Sequence, residues 1–150
     1  AVDGQAWVRL GGAEAAVASA RQRLGGEWVE ATEAEAFWGA VREQRHSFFS
    51  ADGPLWRLSL PSTVPPLGLI GERLIEWGGA QRWVHSNERA ERIRGAVVAA
   101  GGHATLFRGG EAAVPVFQPL APAMAGLQAR LRASFDPAGI FNPGRLYDGS

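Results

Sequence analysis

Two stretches of the chain share one order of features, and this repetition constrains the fold more than any other property of the sequence. Trp7-Val8 aligns with Trp83-Val84, and Gly25-Gly26 aligns with Gly101-Gly102, at one common offset and without a gap. A helical apolar stripe lies between the two pairs in each stretch, and glycine ends a helix readily because it has no Cβ to clash. The pattern predicts two equal βαβ units. Such units form a ferredoxin-like α+β fold, with an antiparallel sheet and helices on one face.

The hydrophobic periodicity places the individual elements. Apolar residues that alternate predict strands, and apolar residues three or four apart predict helices. The predicted strands are 5–10, 27–30, 56–60, 73–77, 80–85 and 103–107, and the predicted helices are 13–24, 32–45, 87–100 and 122–135. Thr32 and Glu35 predict a capping box, Asn87 predicts a second helix cap, and Gly78-Gly79 predicts a tight hairpin turn. An extended tail follows the last helix.

Composition excludes several classes of function. At 150 residues the chain is long enough for one domain, residues 1–150. Its fifteen arginines balance fifteen acidic residues and it has no lysine, so we expect no nucleic-acid partner. No apolar run is long enough for a membrane span, which favours a cytoplasmic protein. The absence of cysteine excludes a disulfide and a thiolate-bound iron–sulfur cluster in this chain.

The tail carries the most specific motif. Residues 135–147 read FDPAGIFNPGRLY, in which Pro143-Gly144 suits a type II turn that holds the Asn142 side chain in one direction. This segment resembles the closing motif of FAD-linked oxidases of the vanillyl-alcohol-oxidase type. Two further stretches, EWGGAQRW at 76–83 and AAGGHATLF at 99–107, resemble the FAD-binding subunits of bacterial glycolate oxidases.

The resemblance implies a C-terminal, substrate-side cap domain of a flavin-dependent 2-hydroxy-acid oxidase. The chain begins at Ala1 without Met, and no Gly-rich phosphate-binding loop precedes a helix. We therefore expect the FAD-binding domain to lie outside this chain, and the fragment alone to bind no FAD and to be inactive. The expected partners are a second flavin subunit, an iron–sulfur subunit, and glycolate or D-lactate as substrate. Attachment to the inner membrane is expected only through the complex.

Residues on the uncovered face of the sheet are candidates for the chemistry. Oxidation of a 2-hydroxy acid requires a cation for the carboxylate, for which Arg57 and Arg82 are candidates, and a base for the hydroxyl proton. His103 is the first choice of base and His85 the second. The candidates for contact with the flavin are Thr105, Asn142 and Arg145. Because His46, His85 and His103 show no clustered spacing, we expect no metal site.

Three alternatives stay open from the sequence. Arginine is mostly a solvated surface residue, a lone histidine is more often structural than catalytic, and Trp77 and Trp83 suit packing within a hairpin. In one alternative function, the domain is an assembly module of an oxidase complex and not part of its catalytic site. The repeated units alone also allow a ferredoxin-like regulator that binds a small molecule.

Overall fold

A four-stranded antiparallel sheet with helices packed against it forms the centre of the molecule. The structure is a computed structural model and describes residues 4–147. Its helices are α1 (Glu14–Leu24), α2 (Ala31–Arg42), α3 (Ala90–Ala99) and α4 (Pro122–Phe135), and its strands are β1 (Leu55–Ser59), β2 (Glu72–Glu76), β3 (Gln81–His85) and β4 (His103–Arg108). A short 3-10 helix, Ser47–Ser50, precedes β1. The α+β class is confirmed.

The strand order is β2-β3-β1-β4, and every neighbouring pair is antiparallel. Consequently β1 runs parallel to β2 with β3 between them, and β3 runs parallel to β4 with β1 between them. Both connections are therefore split crossovers. The β3–β4 crossover is made by α3, whereas the β1–β2 crossover is the Pro-rich loop 60–71. The predicted hairpin of β2 and β3 is confirmed.

The helix α3 buries its apolar stripe on one face of the sheet. Ile93 and Val97 are fully buried there. The helix ends at the predicted glycine pair, where Gly101 has a φ of 76° and the Gly102 N–H donates to the carbonyl of Val97 at 2.9 Å. The core on this face consists of Trp56, Leu58, Leu60, Leu69, Val84, Ala90, Ile93, Val97, Ala104 and Leu106.

The opposite face of the sheet is only partly covered. A second core lies at one end, where residues of the 3-10 helix pack on β1, β2 and β3, and it consists of Phe48, Phe49, Leu55, Leu74 and Trp83. Phe37 of α2 and Trp7 also pack against this core, with their rings stacked at 4.1 Å. Helices therefore contact both faces of the sheet, and the expectation that they lie on one face is wrong.

The predicted duplication is absent from residues 4–147. Residues 6–10 and 27–30 form no strand, and α1 has no buried residue. Residues 27–30 lie directly before α2, which begins at Ala31, and they pair with no strand. Trp7 stacks on Phe37 of α2, and residues 6–10 around it join no strand of the sheet. The prediction from the matched Trp-Val and Gly-Gly pairs was therefore correct for the helix α1 and wrong for the two strands beside it. Within the described part of the chain, no helix is long and apolar enough to cross a bilayer.

The predicted helix caps were also wrong. The structure places Glu30 at the N-cap of α2 and Arg89 at the N-cap of α3, and neither side chain caps its helix. Thr32 lies inside α2, and Asn87 lies outside α3. The helix α2 ends at Arg42, before the predicted boundary at Arg45. Boundaries are the least certain part of a sequence reading, since tertiary packing overrides local preference at helix ends.

We predict that Gly102→Ala lowers the free energy of unfolding by about 1–3 kcal/mol. A Cβ at Gly102 would lie 2.2 Å from the carbonyl oxygen of Ser59, so the junction of α3 with the sheet would have to move. Gly95→Ala is the matched control, because a Cβ there meets no atom within 4 Å and alanine favours a helix by about 0.5–1 kcal/mol. Urea titration of both variants measures the difference. Equal stability of the two variants would contradict the packing described.

Candidate functional site

A group of polar side chains lies on the uncovered part of the second sheet face. Arg57 in β1 stands opposite Trp83 of β3 and Thr105 of β4. Ser59 stands opposite Gln81 and His103. Side chains two residues apart in a strand, and those directly opposite on a neighbouring strand, share one face. The sheet register therefore brings Arg57, Thr105 and His103 together.

These side chains differ in their accessibility. Ser59 and His103 are exposed at the end of the sheet that the second core leaves uncovered, and Arg57 is half-buried. Thr105 is 7% exposed. His103 is therefore more accessible to solvent than Arg57.

Arg57 carries a positive charge that no acidic residue of the described part of the chain pairs with. Among residues 4–147, its guanidinium forms no ion pair, and its nearest described aromatic partner is the ring of Phe107, 6.0 Å from the guanidinium carbon. Phe107 in turn packs edge-on against Trp83, with ring centroids 4.9 Å apart. The Phe107 ring lies at the outer limit of a cation–π contact with the guanidinium, and no described hydrogen bond uses the donors of the guanidinium.

His85, the second candidate base, lies at the other end of β3. One ring nitrogen, Nε2, lies 2.9 Å from the carbonyl oxygen of Phe48, and Nδ1 is buried without a hydrogen-bond partner in the described residues. The ring also packs edge-on against Phe48. These contacts place His85 in the second core, away from His103, and give it a structural role.

Arg82 lies on the opposite face from Arg57, which the sequence reading did not anticipate. It is 8% exposed, and it donates to the carbonyls of Gly79 and Pro65 at 3.0 Å and to that of Val64. All these acceptors belong to the crossover loop and the hairpin turn. The structure therefore does not bring Arg82 together with the other candidates, and its donors are already used to hold the backbone.

We predict that Arg82→Met lowers the free energy of unfolding by about 2–4 kcal/mol, because it removes the donors to the carbonyls of Val64, Pro65 and Gly79. Arg57→Met, on the uncovered face, should cost less than about 1 kcal/mol. Thermal or urea denaturation followed by tryptophan fluorescence measures both. A larger loss for Arg57→Met would reverse the assignment of the two arginines.

The tail forms the predicted turn. The N–H of Arg145 donates to the carbonyl of Asn142 at 3.3 Å, and Gly144 has a φ of 72°, as a type II turn requires. Asn142 itself has a φ of 45° and is exposed, as is Arg145. No described hydrogen bond joins Asn142 or Arg145 to the residues of the sheet face, so the candidates form two separate groups.

Asp136 anchors this tail, a role that the sequence reading missed. Its carboxylate accepts the N–H of Ile140 at 3.1 Å and that of Phe141 at 2.9 Å. Arg132 adds a hydrogen bond to the carbonyl of Phe141 at 2.8 Å. The hydrogen bond from Phe141, helped by that from Ile140, lowers the pKa of Asp136, although burial opposes the shift. An aspartate directly before a proline at a helix end is the sequence signal for such an anchor.

We predict that acid releases the tail from α4. Because the folded-state pKa of Asp136 is depressed, its contribution is complete above the ordinary aspartate pKa of about 4 and is lost as pH falls through the depressed value. Amide hydrogen exchange at Ile140 and Phe141 should accelerate in that range. Asp136→Asn should show fast exchange already at neutral pH, whereas Asp52→Asn, in an exposed turn, should not. Unchanged protection in Asp136→Asn would exclude this anchor.

One comparison with known proteins matches nearly the whole chain. It is 46% identical, over 145 residues or 97% of its length, to the glycolate oxidase subunit GlcE of Escherichia coli strain K12. The chain is similar to a glycolate oxidase subunit. The resemblance seen in the motifs is thereby confirmed. The chain spans 39% of the length of that relative.

Two other comparisons found nothing. No family model and no solved structure matches the chain. Within residues 4–147, no group of three or more acidic or histidine side chains is placed to hold a metal ion.

Proposed function

We propose that this chain is the substrate-side cap domain of a flavin-dependent 2-hydroxy-acid oxidase subunit, with glycolate as the substrate. The observation that carries the proposal is the unpaired guanidinium of Arg57 beside His103 on the uncovered sheet face. The 46% identity to a glycolate oxidase subunit supports it. D-lactate is the second substrate of the same chemical class.

Arg57 binds the substrate carboxylate in this proposal. A guanidinium offers two parallel N–H donors that match the two carboxylate oxygens, which fixes orientation as well as position. His103 lies on the neighbouring strand, diagonally from Arg57, at a Cα separation of roughly 7–8 Å for such pairs. This separation suits a short acid whose hydroxyl is next to its carboxylate.

His103 accepts the hydroxyl proton. A neutral imidazole is a suitable base near pH 7. The 2-hydroxy acid loses this proton together with a hydride from its Cα and becomes a 2-oxo acid. FAD, when bound in the complete subunit, would accept the hydride. Arg57 keeps the Cα–H in a fixed direction during this loss.

The described residues also suit contact with a flavin. The hydroxyl of Thr105 lies on the same face as Arg57, where a hydroxyl donates to or accepts from a ring edge. The tail adds the exposed Asn142 amide and the exposed Arg145 guanidinium. In the assembled subunit these groups would hold the cofactor from the cap side. The proposed partners that receive the electrons are a second flavin subunit and an iron–sulfur subunit.

A second candidate function is assembly without catalysis. The helix α4 has no buried residue, and its apolar residues Met124, Leu127, Leu131 and Phe135 are all exposed. Apolar side chains on one helix stripe are typical of a surface that another protein region covers. This candidate predicts that loss of Arg57 leaves turnover unchanged.

The decisive experiment replaces Arg57 in the complete polypeptide assembled with its partner chains. Arg57→Met should lower kcat/KM for glycolate by roughly a hundredfold or more, because two charge-assisted hydrogen bonds to the substrate are lost. Arg89→Met is the matched control, since Arg89 is exposed at the N-cap of α3 and its side chain forms only a surface ion pair with Glu91 at 3.4 Å. Steady-state kinetics measure both. Full activity of Arg57→Met would favour the assembly function.

A further inference from the structure

A groove of about 850 Å³ lies beside the candidate site, between α2 and the β2–β3 hairpin. Its walls are unusually aromatic for a chain with 9% aromatic residues. The aromatic lining consists of Trp7, Phe37, Trp38, Phe49, Trp77 and Trp83. The proposed reaction uses none of these side chains directly. The groove therefore needs an explanation of its own.

The carboxylate of Glu76 lines this groove and is held in one position. Its Oε2 accepts a hydrogen bond from Trp83 Nε1 at 2.5 Å and another from Gln81 Nε2 at 3.0 Å. Its Oε1 has no described hydrogen bond, and among residues 4–147 Glu76 forms no ion pair. A half-buried carboxylate with one free oxygen attracts a cation that carries hydrogen-bond donors.

Two residues of the groove adopt strained backbone conformations. Trp77 has a φ of 50° and Gln44 a φ of 55°, and both line the groove. Trp77 is also 77% exposed. Left-handed conformations of residues other than glycine cost roughly 1–3 kcal/mol and cluster at functional sites. However, Trp77 begins the turn of the β2–β3 hairpin, and Gln44 directly follows the C-cap of α2, so both conformations belong to ordinary chain reversals. The exposure of the Trp77 indole is the feature that suits an interface, where tryptophan is enriched.

The other charges of the groove do not neutralise Glu76. Arg42 lines the groove but is paired with Glu43 at 2.8 Å. Arg9 also lines it and is exposed, so solvent screens its charge. A cation brought by another molecule would therefore meet the only carboxylate among the groove residues, surrounded by aromatic rings.

We propose that this groove is an interaction surface that receives an arginine side chain from a partner subunit. A guanidinium stacks on indole rings and donates to a carboxylate with the same planar fork, which a lysine ammonium does not. Arginine and tryptophan are also the residues that most often dominate binding at protein interfaces. The proposal rests on the proposed function, in which the chain belongs to a complex of several subunits.

Photo-cross-linking in the assembled complex tests the proposal. The photoreactive residue p-benzoylphenylalanine replaces Trp77 or, in a second variant, Trp38, so that a folding defect of one variant does not decide the outcome. Mass spectrometry then identifies the cross-linked peptide. We expect a peptide of another subunit that contains arginine. A cross-link within the same polypeptide, or none in an intact complex, overturns the proposal.

Binding measurements identify the groups responsible. Glu76→Gln should weaken binding of the cross-linked subunit by at least about tenfold, because it removes the charge and keeps the shape. Glu72→Gln, at the exposed start of the same strand, should leave binding unchanged. Replacing the partner's arginine with lysine should also weaken binding. Equal binding by the Glu76→Gln and Glu72→Gln variants contradicts the proposal.

Glycolate turnover, measured on the same complexes, separates this proposal from the proposed function. Cross-links to a partner arginine in a complex that does not oxidise glycolate would support the groove and contradict the oxidase assignment. Glycolate oxidation without such cross-links would support the oxidase and overturn the groove. The two proposals therefore fail independently.

Discussion

The pairing of β1 with β3 on one side and β4 on the other is the constraint on which the rest of the structure depends. Leu58, which is 1% exposed, lies opposite Arg82 and Ala104 at the centre of this arrangement. Because successive side chains of a strand point to opposite faces, Trp56 and Leu58 form the core under α3 while Arg57 and Ser59 point to the other face. One five-residue strand thus separates the hydrophobic core from the candidate site.

The two split crossovers keep β1 in this central position by different means. On the β3–β4 side, α3 buries Ile93 and Val97 against the sheet. On the β1–β2 side no helix is available, and a loop buries fewer apolar groups than an amphipathic helix. Arg82 offsets this difference by donating to carbonyls of the loop, and Arg73 donates to the carbonyl of Leu69 at 2.5 Å. The buried guanidinium of Arg82 therefore holds the loop, a structural role that the sequence pattern around Arg82 does not predict.

Local pattern predicted the elements whose identity depends on local chemistry. The alternation of β1, the hairpin, the stripe and glycine end of α3, and the Pro143-Gly144 turn were all predicted correctly. The strands at 5–10 and 27–30 were not, because a strand exists only where a neighbour supplies a ladder. The alternation of residues 56–60 predicted that Arg57 points away from the buried side chains of β1. The role of Arg82 could not be predicted in this way, because it depends on the path of the loop 60–71 past the Arg82 side chain. Glu76 and Asp136 were missed because their partners become visible only in three dimensions.

Trp83 connects the candidate site to the aromatic groove. Its indole packs edge-on against Phe107, which supports Arg57, and its Nε1 donates to the carboxylate of Glu76 at 2.5 Å. It also packs against Phe49 of the second core, with ring centroids 5.4 Å apart. Because Trp83 is buried among these neighbours, a displacement of the ring changes the setting of both Arg57 and Glu76. In the two proposals, occupation of the groove and binding of an acid at Arg57 would therefore act on one rigid side chain.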